Sequence, residues 1–535
     1  MTARQIEGEF QTVVDVLRAA ASVNTDVEAY VEPAVGTTPR RALTFGEWDR
    51  AADGIAGLFA GAGVTRGSVV CLILPSSIDY MVCYAAATRL GAITSGINPR
   101  LGGHEVRSIL ERTRPAVTVL DDGGESPDGP TGSVLYRTAT MEASEGPPPD
   151  RWPELEPTDP VAVVWTSGTT GLPKGAVFDH RRLAAVAAGT DTLSEPGDRR
   201  LSPLPFAHVG SMTRTWDEAA HGVTTVITPT PWKAADCIAV LADERISVGQ
   251  GVPTQWALMM AEPALDVADL SSLRVVGTGA ARVPAELVAA MRERFGVPVI
   301  VRYTSTEASL GTGTVPGDPD EVVASTVGRP VPGVSLTIVD EAGSGVAPGE
   351  VGRVRIRSGA VMLGYWGGPP TGPGIEGVTF DAAATRSVLG DDGWLTTGDF
   401  GFIDEGGNLH LVGRANEMYI RGGYNVYPAE VESVLSAHPA VAQVAVVGAP
   451  DPVLGEIGVG FVVPAAGAEV TLDDLRSWSR GSLADYKSPD RLVLVESLPL
   501  TSMMKVDKRA LAQPAAEAAA VSHHRLQTTT TARDS

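Results

Sequence analysis

The sequence predicts an α/β protein of more than one domain. Three observations point there. Short β-rich apolar runs alternate with longer helical stretches up to about Ser325. The texture then changes twice, after about Ser325 and again after Gly413. A chain of 535 residues also exceeds what one hydrophobic core usually holds.

Taken in order, Val69–Leu74 is a continuous apolar run and reads as a buried strand, followed by a helix over Asp79–Leu90. Ala116–Leu120 is a further strand. Gly123 to Pro149 is rich in Gly, Pro, Ser and acids, so a surface loop region is expected. Val161–Trp165 is a strand that runs straight into a glycine-rich segment. Thr224–Thr228, Arg274–Val276 and Val299–Val301 continue the pattern, with a helix at Pro284–Phe295. Beyond Ser325, Val334–Val339 and Val351–Arg357 alternate like strands of a twisted sheet, and Gly364–Asp392 is loop-like. After Gly413 comes a compact set: helix Ala429–Ala437, strands Val441–Val447 and Gly460–Val463, helix Leu472–Arg480 and strand Arg491–Val495. That set reads as a small α+β domain, and the boundaries expected are 1–413, 414–513 and a disordered Ala- and Thr-rich tail over 514–535.

Composition excludes several classes. Hydrophobic residues make up 43% of the chain, too many for a disordered protein. The formal net charge of −22 repels phosphate backbones, which disfavours nucleic acid as a partner. An anionic small ligand then needs a local nest of donors. The three cysteines, Cys71, Cys83 and Cys237, are spaced for neither a zinc site nor a disulfide framework; free thiols in a reducing cytoplasm are expected. No apolar run approaches a membrane span, and Met1 to Thr12 is too polar for a secretory signal.

Such a nest is present at Thr166-Ser-Gly-Thr-Thr-Gly-Leu-Pro-Lys-Gly175. Gly168, Gly171 and Gly175 let the backbone approach an anion. Thr166, Ser167, Thr169 and Thr170 add hydroxyl donors, and Lys174 adds a positive charge. The loop leaves a buried strand, so its base is rigid. Together these features make a cradle for a polyphosphate. The common P-loop is a different pattern, since it needs Gly-Lys followed by Ser or Thr and here Lys174 precedes Gly175.

Thr166–Gly175 resembles the signature loop of the superfamily of acyl-CoA synthetases, peptide-synthetase adenylation domains and firefly luciferase. Further segments resemble that superfamily's other motifs, in order, from about Thr38 to Arg509. They are Gly277-Thr-Gly-Ala-Ala281, Tyr303-Thr-Ser-Thr-Glu307, Gly393-Trp-Leu-Thr-Thr-Gly-Asp399, Gly413–Glu430 and Pro499-Leu-Thr-Ser-Met-Met-Lys505. The resemblance is closest to fatty-acid and acyl-CoA ligases. It implies a large N-terminal domain of two stacked α/β subdomains plus a β-barrel-like subdomain, then a small mobile α+β domain.

The resemblance also implies roles. Tyr303 stacks on adenine, Thr306 contacts the α-phosphate, Thr304 is among the ATP-binding residues, and Glu307 helps hold Mg²⁺, a hard cation suited to carboxylate and phosphate oxygens. Gly279, Ala280 and Ala281 line the adenine and acyl pockets. Asp399 accepts from the ribose hydroxyls, and Arg414 contacts the ribose–phosphate side. Asn416 is the interdomain hinge, and Gly422 and Gly423 face the site when the thioester forms. Lys505 stabilises charge in the adenylation transition state. Four positions depart from the pattern: Thr304 and Met504 stand where Gly is usual, Leu500 where Arg is usual, and Asn416 where Asp or Lys is usual.

The implied reaction has two halves. A carboxylate attacks the α-phosphate of Mg-ATP and releases pyrophosphate; after a rotation about Asn416, a thiol attacks the acyl-adenylate. Leu201–Gly210 resembles the segment that lines the acyl pocket, placing His208 there with Val209, Met212, Val252 and Pro253 nearby, so a hydrophobic acid is expected. Coenzyme A is the expected acceptor. A carrier protein in trans, or a member limited to the thioester-forming half, is the alternative. Oligomeric state is left open.

Overall fold

A computed structural model of the chain describes residues 3–166, 172–190, 192–279, 283–501 and 504–530, with side chains to 520. Two mostly parallel sheets dominate the N-terminal part. The first has six strands in the order 133–136, 117–120, 69–73, 93–96, 160–166 and 174–179. Its last strand, Lys174–Asp179, runs antiparallel to Pro160–Thr166, so the loop expected to bind phosphate is the connection of a hairpin. The second sheet has nine strands: 329–330, 312–313, 299–303, 275–279, 248–251, 199–202, 224–227, 28–32 and 41–44.

The two sheets share one core. Helix Ile78–Arg89 is buried at every residue. Its apolar side chains pack with Tyr30, Trp48, Phe59, Phe178 and Tyr303 in a single cluster that draws on both sheets. A helix buried all round has no amphipathic stripe, which is why its polar members are ion-paired. Arg89 lies against Asp49 and Asp53, and Asp79 against Arg41 and Arg137.

The barrel-like part is a four-stranded antiparallel sheet, in the order 334–339, 352–358, 395–403 and 409–414. The C-terminal part has its own sheet: 424–426, 419–421, 455–464 and 441–451, with 491–494 parallel to 455–464. Helices Pro428–Ser436 and Leu472–Ser479 flank it, and Tyr419, Val431, Leu435 and Leu475 fill its core. Residues 415–418 connect the four-stranded sheet to this unit.

Two expectations are corrected. Within the expected loop Gly123–Pro149, Ser133–Tyr136 is a strand parallel to Val117–Leu120, and Arg137–Glu142 is a short helix. Neither face of that strand is fully buried, so its apolar pattern is weak. The expected disordered tail begins instead as a helix, Lys508–Thr530. Ala515 and Ala519 are buried against Phe461, Leu498 and Ala445, so the small side chains that gave the segment its low-complexity look allow close packing.

Candidate active site

The site is assembled at the C-terminal ends of parallel strands from both large sheets, where ligands bind in open α/β proteins. Strand Val299–Val301 extends to Tyr303, placing that ring at the strand end. Strand Val275–Gly279 ends beside it, with Gly279 paired to Arg302. A side chain at Gly279 would sit 2.3 Å from the Arg302 carbonyl oxygen, so only glycine fits there.

The four-stranded sheet supplies the polar partners. Asp399 and Arg414 face each other on adjacent strands. The Tyr303 hydroxyl donates to Asp399 Oδ2 at 2.6 Å, and Arg414 Nε lies 3.2 Å from Asp399 Oδ1. Burial first, then the Asp399 charge, hold the Tyr303 phenol well above its ordinary range, so it is a neutral donor. Thr397 Oγ1 accepts from the Asp399 backbone N–H at 3.1 Å and itself donates to the Val354 carbonyl at 2.9 Å, which ties Asp399 to the neighbouring strand. An ionised carboxylate offers about four acceptor positions, so two engaged oxygens still leave capacity for a diol.

Glu307 lies in the segment after Tyr303. Its Oε1 accepts from the Tyr365 hydroxyl at 2.6 Å, and its backbone carbonyl accepts from Met362 N–H at 2.8 Å. The Lys174 ammonium sits 5.3 Å from the centre of the Tyr365 ring. Tyr365 therefore joins the exit of the glycine-rich loop to Glu307. It is the site residue that sequence reasoning missed, because it falls in the loop-like stretch Gly364–Asp392. Its aromatic character amid glycines was the available signal. Thr304 is exposed and Thr306 half-buried on the same segment. Thr166 ends the strand before the loop, with Oγ1 3.4 Å from the Lys174 carbonyl. Ser167, Gly168, Thr169, Thr170, Gly171, Ala280 and Ala281 lie outside the described residues.

Lys505 reaches this site from the C-terminal unit. It stands on a hairpin in which Leu500 bridges Val506, Thr501 N–H donates to the Lys505 carbonyl at 2.7 Å, and Asp507 N–H donates to the Pro499 carbonyl at 2.8 Å. Met504 turns the chain with φ 58°, a left-handed conformation that glycine adopts at least cost. Burial, and then the charge of Arg414, push the Lys505 ammonium down to about 8. His208 is in range of the same ammonium; burial, and then the Lys505 charge, push its imidazole down to about 3. Neutral His208 caps the short helix Val209–Met212, its Nδ1 accepting from Gly210 N–H at 3.2 Å.

Val209 and Met212 are buried in the main core, where the Tyr84 hydroxyl donates to the Met212 carbonyl at 2.8 Å. Val252 and Pro253 are buried at the start of helix Pro253–Met260. Gly422 and Gly423 form the exposed turn between strands 419–421 and 424–426, with φ of 57° and 88°. Asn416 lies in the turn between Arg414 and strand Tyr419–Arg421, where Glu417 and Met418 N–H groups donate to the Arg414 carbonyl. Among the described residues no cluster of three His, Cys, Asp or Glu side chains is arranged to hold a metal, and no helix is long and apolar enough to cross a membrane.

Comparison with known proteins gives the family and the fold. The family model for the AMP-binding enzyme matches residues 17–366, and that for the AMP-binding enzyme C-terminal domain matches 430–505. Indoleacetate–CoA ligase of Aromatoleum aromaticum is 33% identical over 491 residues, covering 88% of this chain and 92% of that one. Long-chain-fatty-acid–CoA ligase FadD13 of Mycobacterium tuberculosis is 31% identical over 517 residues, covering 93% and 97%. The crystal structure of ATP-bound MatB from Rhodopseudomonas palustris superposes with a TM-score of 0.82 at 26% identity, covering 94% of this chain and 98% of that one.

Proposed function

The chain belongs to the AMP-binding enzyme family, and on that footing we propose that it activates a hydrophobic carboxylic acid with ATP and passes the acyl group to coenzyme A. One observation carries the reading. The Tyr303 hydroxyl and Arg414 Nε converge on Asp399 at the strand end, and the Lys505 ammonium, held down to about 8, is brought to the same place from the C-terminal unit. Donors and cations gathered at one strand end suit a ligand that carries hydroxyls and negative charge. The relatives from Aromatoleum aromaticum and Mycobacterium tuberculosis are CoA ligases, which supports the choice of acceptor.

In the first half-reaction the acid's carboxylate attacks the α-phosphorus of ATP and pyrophosphate departs. Asp399 accepts from the ribose, Tyr303 lies against the adenine, and Thr166 and Lys174 flank the phosphate loop. Lys505 stabilises charge that builds on the carboxylate and phosphate oxygens, in a site where little water competes. Glu307 suits Mg²⁺, since that ion commonly takes one or two carboxylates together with phosphate oxygens and water, and would neutralise phosphate charge there. In the second half-reaction residues 414–513 rotate about Asn416, Lys505 withdraws, and the Gly422–Gly423 turn comes to the site. The thiolate then attacks the acyl carbonyl and AMP leaves.

The same protein is tested in two assays. Pyrophosphate release is followed with ATP and a panel of fatty, aromatic and terpenoid acids, and thioester formation is followed from a synthetic acyl-adenylate with coenzyme A. Activity in both is expected. Thioester formed from the supplied adenylate alone would instead mark an enzyme of the second half only, and pyrophosphate release without thioester would point to a carrier protein as acceptor.

A further inference from the structure

We propose that Arg112 is a positioning residue for ATP, a clamp that fixes both ends of the phosphate loop and ties them to Glu307; this rests on the functional reading above. Arg112 ends helix Gly103–Thr113, outside every segment that the sequence marked for chemistry. Its guanidinium lies over the Trp165 ring, 4.6 Å from the centre, and its Nη2 donates to the Pro173 carbonyl at 2.7 Å. Trp165 is one residue before Thr166, and Pro173 one residue before Lys174. A single planar cation therefore touches the chain just before Thr166 and just before Lys174, the two ends of the hairpin connection.

The other contacts make the clamp rigid. Arg112 Nε donates to the Ser108 carbonyl of its own helix at 3.1 Å, which aims the fork. The Trp165 indole N–H donates to Ser95 Oγ at 2.9 Å. Across the hairpin, Trp165 is paired with Gly175, where a side-chain carbon would lie 2.9 Å from the indole ring. The ring thus touches both a guanidinium and the bare backbone of Gly175, and its position sets that of Thr166. On the exit side, the Pro173 bond orients Lys174, whose ammonium sits over Tyr365. The Arg112 carbonyl also accepts from the Trp366 indole at 3.0 Å, and Tyr365, its neighbour, donates to Glu307. Arg112 thereby connects the loop's two ends with the carboxylate expected at the metal.

Arginine is suited to this because one planar group stacks and donates at once. A lysine ammonium reaches either the ring or the carbonyl with good geometry, but not both. Burial pushes the Arg112 guanidinium down from its ordinary value, with Asp381 partly opposing that shift, and it stays charged.

The experiment compares the intact protein with its Arg112→Met and Arg112→Lys variants. KM for ATP, KM for the acid, and thioester formation from a supplied acyl-adenylate are measured for each, with melting curves as a check on folding. The clamp predicts that Arg112→Met raises KM for ATP about tenfold, the size of one lost charge-assisted hydrogen bond. Acid KM and the adenylate-supplied rate stay within about twofold. Arg112→Lys restores only part of the ATP affinity and serves as the second reading should Arg112→Met fold poorly. An unchanged KM for ATP in a folded variant, full rescue by lysine, or an equal loss in all three measurements would overturn the clamp. If the unmodified protein neither bound ATP nor released pyrophosphate, the functional reading itself would fall.

Discussion

Lys505 offers the most demanding test of the site, because its protonation is set by the tertiary structure. Burial and Arg414 lower it from an ordinary 10.5 to about 8. That difference corresponds to roughly 3 kcal/mol against the charged form. The sign follows from which state holds the proton. Below about 8 the folded protein carries a charged Lys505 at a cost to stability, and the cost is relieved as pH rises toward 10.5, where the unfolded chain also loses its proton. Phosphate anions relieve the same cost by pairing with the ammonium. In the free enzyme about nine-tenths of Lys505 is charged near pH 7 and about one-tenth near pH 9. Because kcat/KM reports the free enzyme, kcat/KM for ATP in pyrophosphate release falls about tenfold across that interval. The fall in kcat lies at higher pH, since bound phosphates raise the lysine. The assay omits coenzyme A, whose thiol titrates at about 8.5. Lys505→Arg keeps a permanent charge and flattens the profile; Lys505→Met is slow throughout. A wild-type kcat/KM that is level to about pH 9.5, or the same fall in Lys505→Arg, would refute the role given to this ammonium.

Other outcomes follow from the same geometry. Asp399→Ala removes the carboxylate that accepts from the buried Tyr303 hydroxyl and lowers stability by about 1–3 kcal/mol while raising KM for ATP; melting curves and initial rates measure the two effects separately. His180, 1% exposed, accepts from Val13 N–H through Nδ1 and is held at about 4 by burial, with Asp159 and Asp15 opposing. It stays neutral in the fold while the unfolded chain takes up a proton, so roughly 3 kcal/mol is lost as pH falls from about 6.5 to about 4. His180→Asn, which keeps an acceptor and cannot titrate, should show a shallower loss by denaturant titration across that window. Ala515→Asp puts a carboxylate against Phe461 and Leu498; unless helix 508–530 undocks, the cost is several kcal/mol, on the order of a buried unpaired charge, and the C-terminal unit should melt earlier in calorimetry.

Much of the site was legible because its chemistry is local. Thr166–Gly175 points to an anion-binding role through residue type alone, since glycines, hydroxyls and a lysine after a buried strand suit that purpose wherever the strand lies. The strands at Val299, Val334 and Val441 were legible for a similar reason: β-branched residues at short range prefer extended backbone. The strand Ser133–Tyr136 was hidden because its partly exposed faces carry little hydrophobic signal, and the helix beyond Lys508 because alanine reads as filler until something packs on it.

The sequence by itself determined the order of the motifs, the glycines, hydroxyls and lysine of Thr166–Gly175, and the two changes of texture along the chain. Only the tertiary structure decided that Tyr303 donates to Asp399 across 96 positions of sequence, that Tyr365 joins Lys174 to Glu307, and that Arg112 spans the base of the loop. The physical reason is range. Propensity and periodicity act over one turn or a few residues, whereas hydrogen bonds, ring contacts and desolvation depend on groups brought together by packing. The departure of Lys505 from its ordinary pKa belongs wholly to that second kind, because no lysine is desolvated until a fold encloses it.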